Sequence, residues 1–595
     1  MLAVLAYAAF ASLALGLFHR GVRRLRAGTA AALLLLPLLF TGGALLTGRV
    51  YAPIDLLYNA PPLADQRADL GLPREPHNAT LWDLAFQIIP WRAAVQAALR
   101  AGEWPLWNPG ILAGDPLAAS AQPAPYHPVN LICALLPLPR GVTFAAAATF
   151  FLAALGGFAF LREVGCRAGV ALVGALAWMA CDFMAFWVGW PLGLAVAGLP
   201  LVLAGVERVV TAPGTGAVGL LATALALVLL AGHPESAAHA AGLGALYGGS
   251  RLLAAGVRRR RALAAAVAAA ILALLLCAID LLPFADALAQ SAQAGERSAR
   301  AERIEQRATW GRAGPRLLMS FAPFAYGRPG WRPEVPWPVP MQKVAGYGGS
   351  LLLPLAAFGL WRSRFQGRWA LAALGGLGLL AGARAPVIAA TLARIPPYDL
   401  AVNERLSFMW AWAIVGLAAL GLEELAERGD RRRAGRCWIL CLLVCGMLLA
   451  AVWPLASAAL PPHLLARHAA LFLLPLVAGA ALLRWRGSPA LAVGALFLLL
   501  ALQRWGESGS IYPNVKTAAF YPLPGILRQL PPAPEPYRVA GSGFVLMPNL
   551  ATVWGLEDPR GYQALHLDRM ARVLPLWSQR APAWTHTIPD LEDPF

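Results

Sequence analysis

Long apolar runs, rather than alternation, dominate the chain. Stretches of about 20 residues with almost no charge recur from the N-terminus to Arg504, each long enough to cross the roughly 30 Å hydrocarbon core of a bilayer. They predict spans near 2–18, 29–49, 142–161, 168–188, 190–209, 217–232, 236–256, 262–282, 347–363, 368–384, 406–426, 437–457, 467–484 and 488–505, fourteen in all. Alternate short connections ("HRGVRRLR", "REVGCR", "VERVV", "RLLAAGVRRRR", "WRSRFQGR", "ERGDRRRAGR", "RWRGS") hold most of the short-loop arginines. Positive charge marks the cytoplasmic side, so the N-terminus, the loops 50–141, 283–346 and 385–405 and the tail 506–595 are expected to be extracytoplasmic.

Composition supports this reading. The chain has 595 residues, a mean hydropathy of +0.58 and 13% charged residues, which excludes a soluble multidomain enzyme. Net charge is +18, with 47 Arg and two Lys, but there is no basic amphipathic domain or nucleic-acid motif, so nucleic acid is excluded as a partner. The seven cysteines include no CxxC pair, and Cys437, Cys441 and Cys445 recur at helical spacing without a His or carboxylate partner, as packing groups do. The expectation is an all-α polytopic membrane protein. Pro-rich turns and short β-like runs such as "YRVAGSGFVLM" predict a small α/β domain over 506–595.

Polar groups at the predicted outer ends of spans are the first candidates for chemistry: Asp182, His233, Glu235 and Asp280. Ionisable groups at such depth are costly and tend to line a cavity. In the first long loop, "LWDLAFQIIPWRAAVQAALR" has helical periodicity. It sets Leu84, Ile88 and Trp91 on one face and Asp83 with Gln87 on another, and Pro90 breaks or kinks the helix. Arg92, Gln96 and Arg100 form a polar stripe beyond it, so two short amphipathic helices on the membrane surface are expected. Asp55, Asp115 and His127 lie in the same loop and rank below Asp83.

The run "LWDLAFQIIPWR…GEWPLWNPGILAGDPLAASAQPAPYHPVN" resembles the start of bacterial YfhO-type membrane proteins, which are similar to the GT-C class of polyprenyl-phosphate-dependent glycosyltransferases. "GHPE", "RSAR", "GYGGSLLLPLAAFGLW", "NERLSFMWAWAIVGLAALGLEEL" and "YRVAGSGFVLMPNLATVWGLEDPRGY" follow in the order of that family. The resemblance implies a GT-C-like transmembrane domain over 1–505 and an extracytoplasmic C-terminal domain over 506–595. Many relatives continue to a further span, so it also implies that the tail ending at Phe595 is shortened.

The same resemblance implies a sugar transferase of the bacterial cell membrane. Its donor is a polyprenyl-phosphate-linked sugar, and its acceptor an envelope glycopolymer, lipid or protein. Asp83 matches the position of the catalytic carboxylate. Arg92, Arg297, Arg300 and Arg405 lie on the same predicted side and suit phosphate oxygens, while Gln87, Asp182, His233 and Glu235 are further substrate-binding candidates. No cofactor is certain. A divalent metal ion held by His233 and Glu235 with Asp83 stays open, although no metal-ligand spacing falls on one element. Two other classes also stay open, a transporter or flippase of lipid-linked sugars and a non-catalytic envelope scaffold.

Overall fold

The structure, a computed structural model, describes residues 1–595 except 255, 292, 324–345, 460, 485–487, 531–536, 542–544, 564, 566 and 574–595. Every one of the fourteen apolar segments contains helix. Among the described residues, eight helices are long and apolar enough to cross a membrane, or up to ten if two sharply bent pairs each count as one span. The first pair, Ala27–Leu35 and Leu38–Thr47, bends by 73° where Pro37 removes a backbone donor, and the second, Arg368–Gly382 and Pro386–Leu392, bends by 94° at a break ending in Pro386. Three shorter apolar helices, Ala168–Met179, Thr215–Leu229 and Leu352–Arg362, occupy further predicted spans. The chain is a helical, multi-pass membrane protein.

Two helices form a hub. Leu138–Glu163 and Asn403–Arg428 are 94% and 89% buried over their most apolar windows, against 17% for Arg431–Ala451 and 22% for Pro489–Ser508 at the rim. Lipid tails are as apolar as leucine, so hub packing depends on close fit and small residues. Gly359 and Gly421 show this where Leu352–Arg362 crosses Ser407–Arg428. A Cβ on Gly359 would run into the Leu417 carbonyl, and one on Gly421 into the Leu355 carbonyl. The first helix, Leu2–Gly21, buries only the stripe Ala3, Tyr7, Ala11, Leu15 and Phe18, with Tyr7 and Phe10 set edge-on against Phe151 of the hub.

Ion pairs join the arginine-rich short connections. Glu163 meets Arg23 at 3.7 Å and Arg208 at 3.2 Å, Glu423 meets Arg167 at 2.8 Å, and Glu207 meets Arg251 at 2.6 Å. The long loops and the tail come together separately. Val50–Tyr51 pairs antiparallel with Asn514–Val515, and Tyr51 stacks on Tyr512 with ring centroids 4.8 Å apart. The expected small α/β domain is not found among the described tail residues. Their only strand is Asn514–Val515, and the chain otherwise runs as turns and short helices over the first loop, because its polar groups find partners there rather than in a sheet of their own. "YRVAGSGFVLM" forms no strand at its described positions, and residues 542–544 of it lie outside the described residues.

Candidate functional site

Pro90 shapes the surroundings of Asp83. Leu84–Ile88 is a π-helical turn, closed by the Ile89 N–H to the Leu84 carbonyl, and it runs directly into the α-helix Ile89–Arg100 with Pro90 in its first turn. Proline is well placed there, but it has no N–H to offer to the carbonyls four and five residues back. Those carbonyls, on Phe86 and Ala85, accept instead from tail side chains: Asn549 Nδ2 donates to Phe86 O at 3.1 Å and the Tyr521 hydroxyl donates to Ala85 O. The tail supplies what the proline withholds. The expected two amphipathic helices therefore form one continuous helical run whose first turn is clamped by the chain's C-terminal region.

The same clamp delivers a partner to Asp83. Asn549 Nδ2 donates to the Tyr562 carbonyl at 2.7 Å, its Oδ1 accepts from the Tyr562 N–H at 2.9 Å, and the Tyr562 hydroxyl donates to Asp83 Oδ1 at 2.6 Å. Gln87 donates to the Tyr562 carbonyl at 3.1 Å, so Asp83 and Gln87 do share a face, with Gln87 spent on holding the tail. Burial and the neighbouring carboxylate both raise the Tyr562 phenol, which keeps it a donor. Asp83 is partly buried, and its Oδ2 accepts no hydrogen bond among the described residues. Trp82 stacks on Phe86 with centroids 4.0 Å apart, closing the apolar side of the turn.

Arg92 lies two turns further along. It is partly buried, makes no hydrogen bond or ion pair among the described residues, and lines a small pocket with Gln122, Asn130 and Trp190. Trp190 sits edge-on to Trp187 at 5.1 Å, and the Arg405 guanidinium lies 5.7 Å from the centre of a Trp187 ring. Arg405 also meets Glu235 at 3.0 Å and donates to His233 Nε2 at 3.0 Å. Burial, then Arg405, lowers His233 to about 3, leaving it neutral and able to accept. Its Nδ1 accepts from the Ser236 N–H at 3.2 Å, capping Pro234–Leu253.

Four arginines here share two glutamates, and a fifth lies beside them. Arg297 and Arg405 both pair with Glu235, which also accepts from the Val402 N–H at 3.0 Å. Arg316 at 3.0 Å and Arg384 at 2.6 Å pair with Glu404. Arg300, on the helix Gln293–Gln306, makes no hydrogen bond or ion pair among the described residues, and burial lowers its pKa. Several buried polar atoms nearby also lack a protein partner: Trp187 Nε1, Trp190 Nε1, Asn130 Oδ1 and Ser236 Oγ. An uncancelled positive charge beside unfilled donors and acceptors suits a polyanion carrying hydroxyl groups.

The other predicted residues fall elsewhere. Asp182 pairs with Arg504, accepts from Ser508 at 2.9 Å and belongs to a buried network in which Arg504 also holds Glu507, and Tyr347 donates to Glu507 at 3.1 Å. Asp280 is buried with Oδ1 unpartnered, and Asp55 holds the His77 N–H. Asp115 accepts from Gln563 at 3.0 Å, so consecutive tail residues hold two acids of the first loop, Asp83 through Tyr562 and Asp115 through Gln563. A metal bound by Asp83, His233 and Glu235 does not fit this geometry. Glu235 is taken by two guanidinium groups and a backbone N–H, and no group of three or more His, Cys, Asp or Glu side chains is placed to hold a metal among the described residues.

Sequence reasoning did not find Tyr562, Asn549, Trp187, Trp190, Arg384 or Arg504 as site or network residues. The one local signal was Pro90, whose missing N–H requires outside donors for two carbonyls. No protein-family model matches the chain, and no curated protein matches it.

Proposed function

We propose that this protein is a GT-C-like glycosyltransferase of a bacterial cell membrane. It would cross the membrane fourteen times and transfer a sugar from a polyprenyl-phosphate donor to a hydroxyl of an envelope acceptor on the extracytoplasmic side. The observation that carries the reading is Asp83. It is partly buried just ahead of a π-turn, oriented through one oxygen by Tyr562 with the other oxygen open, and two turns ahead of an arginine without an ion pair. Asp83 Oδ2 takes the acceptor's hydroxyl proton as the acceptor oxygen bonds to the anomeric carbon. The anomeric carbon's bond to the donor phosphate oxygen breaks, and its electron pair leaves with the polyprenyl phosphate. Arg92 and Arg300 stabilise the phosphate's growing charge, and Arg405 is positioned by Glu235 and His233.

Asp83→Asn keeps the shape and the tyrosine hydrogen bond but cannot take the proton. Transfer from a radiolabelled polyprenyl-phosphate sugar by the purified protein should fall about 10²–10⁴-fold. Transfer at the wild-type rate would remove Asp83 as base. Lipid-sugar flipping in vesicles, with no transfer from any donor, would replace the reading with a flippase. Sidedness is read separately, by labelling single cysteines placed in the loop 50–141 and in the arginine-rich connections.

A further inference from the structure

A second built site lies at the arginine-rich turn between Ser407–Arg428 and Arg431–Ala459. A crevice of about 330 Å³ is walled by Leu422 and Leu425 of the hub and by Trp438, Leu482, Leu483 and Val493 of three rim helices, and its mouth carries Glu427, Arg428 and Arg431. Gly429 takes φ +64° and turns the chain sharply there, and Arg428 and Arg431 on either side of the turn both line the crevice. From Glu427 to Arg436, five arginines stand against two acids. Arg428 is held by Glu424, and Arg433 by Asp430 at 3.3 Å. The crevice is thus apolar along its depth and cationic at one end, and it lies between helices that are themselves candidate membrane spans.

We propose that this crevice binds an anionic phospholipid, with its phosphate at Arg428 and Arg431 and an acyl chain between the hub and the rim helices. Water has few hydrogen-bond partners between the leucines, Val493 and Trp438, whereas an acyl chain fills such a space without leaving a polar group unsatisfied. Charge decides the headgroup, because basic clusters at a membrane surface favour anionic lipids over zwitterionic ones. The occupant would also cover apolar surface that the rim helices leave exposed, since they bury only 17%, 33% and 22% of their apolar windows. This lipid would be a structural partner, independent of any sugar chemistry at Asp83.

The test is native mass spectrometry of the full chain in detergent, titrated with phosphatidylglycerol, phosphatidylcholine or inorganic phosphate, beside melting temperatures in the same mixtures. Phosphatidylglycerol should bind at least about fivefold more tightly than phosphatidylcholine and raise the melting temperature, while inorganic phosphate does neither. Arg431→Gln should erase the preference between the two lipids, and Ala492→Trp, which fills the crevice from Pro489–Ser508, should abolish lipid retention. Ala492→Leu serves in its place if the larger side chain prevents folding. Equal binding of both lipids, a full stabilisation by phosphate alone, or undiminished retention in the filled variant would each overturn the proposal.

Discussion

Glu207 and Asp115 are both almost completely buried acids, and they are held in opposite ways. Glu207 lies against Arg251 at 2.6 Å and accepts from the Tyr247 hydroxyl at 2.5 Å, in a region where Glu163 and Glu423 also meet arginines. Asp115 has one amide, from Gln563, and no cation among the described residues. Asp115 and Asp83 meet glutamine and tyrosine, while neither Arg92 nor Arg300 makes an ion pair among the described residues, although Arg300 lies near Glu404 and Glu235. One region uses its charges to staple connections together. The other leaves charge uncancelled, which is a cost to the fold that a charged ligand would repay.

The largest expected effect comes from breaking a staple. Glu207→Gln removes the negative charge between Arg251 and Tyr247 and leaves a partly buried guanidinium uncompensated, so stability should drop by about 3 kcal/mol. The drop is read as a lower melting temperature in nanodiscs. The double variant with Arg251→Gln should recover part of the loss, because it removes the stranded charge as well. An unchanged melting temperature in the single variant would mean that the pair holds nothing together, and the contrast with Asp115 would lose its meaning.

A smaller effect should distinguish the second acid. Burial raises the Asp115 carboxyl to about 7, while in an unfolded chain it titrates near its ordinary value of about 4. Between these pH values the folded state holds a proton that the unfolded state has released. Stability therefore falls as pH rises through that window and levels off above it. Asp115→Asn keeps an acceptor for Gln563 and has no proton to lose. Its melting temperature should exceed that of the wild type by a few degrees at pH 8 and converge with it near pH 4. Parallel curves for the two proteins would show that Asp115 stays ionised in the fold.

These contrasts also mark what could be read from the residues. The helical segments followed from apolar run length alone, and the shared face of Asp83 and Gln87 followed from their i, i+4 spacing, because both are local properties. The tail's return did not. Tyr562 and Asp83 are 479 positions apart, and Arg504 and Asp182 are 322 apart, so no periodicity connects them. "YRVAGSGFVLM" has strand-like composition, yet in the described residues Arg538 and Glu557 form an ion pair at 3.3 Å and Val539 donates to the Glu557 carbonyl, without building a sheet. The sequence makes His233 and Glu235 candidates for holding a ligand. In the fold they hold Arg405 and Arg297, a role that depends on where the second long loop and residues 400–405 settle against Pro234–Leu253.

The finest separation is between two arginines of one cluster. Arg405 is bound to Glu235, His233 and the face of Trp187, whereas Arg300 has no hydrogen bond or ion pair among the described residues. If uncancelled charge is kept for a ligand, Arg300→Ala should weaken capture of a fluorescent polyprenyl phosphate about tenfold, a loss of about 1.4 kcal/mol. It should not lower the melting temperature, since the truncation breaks no bond within the protein and removes an uncompensated charge. Arg405→Ala should lower both, because Glu235 then keeps only Arg297 and the Val402 N–H. Equal losses of stability in the two variants would place Arg300 in the scaffold. Undiminished capture in the Arg300 variant would show instead that its charge serves no lipid phosphate.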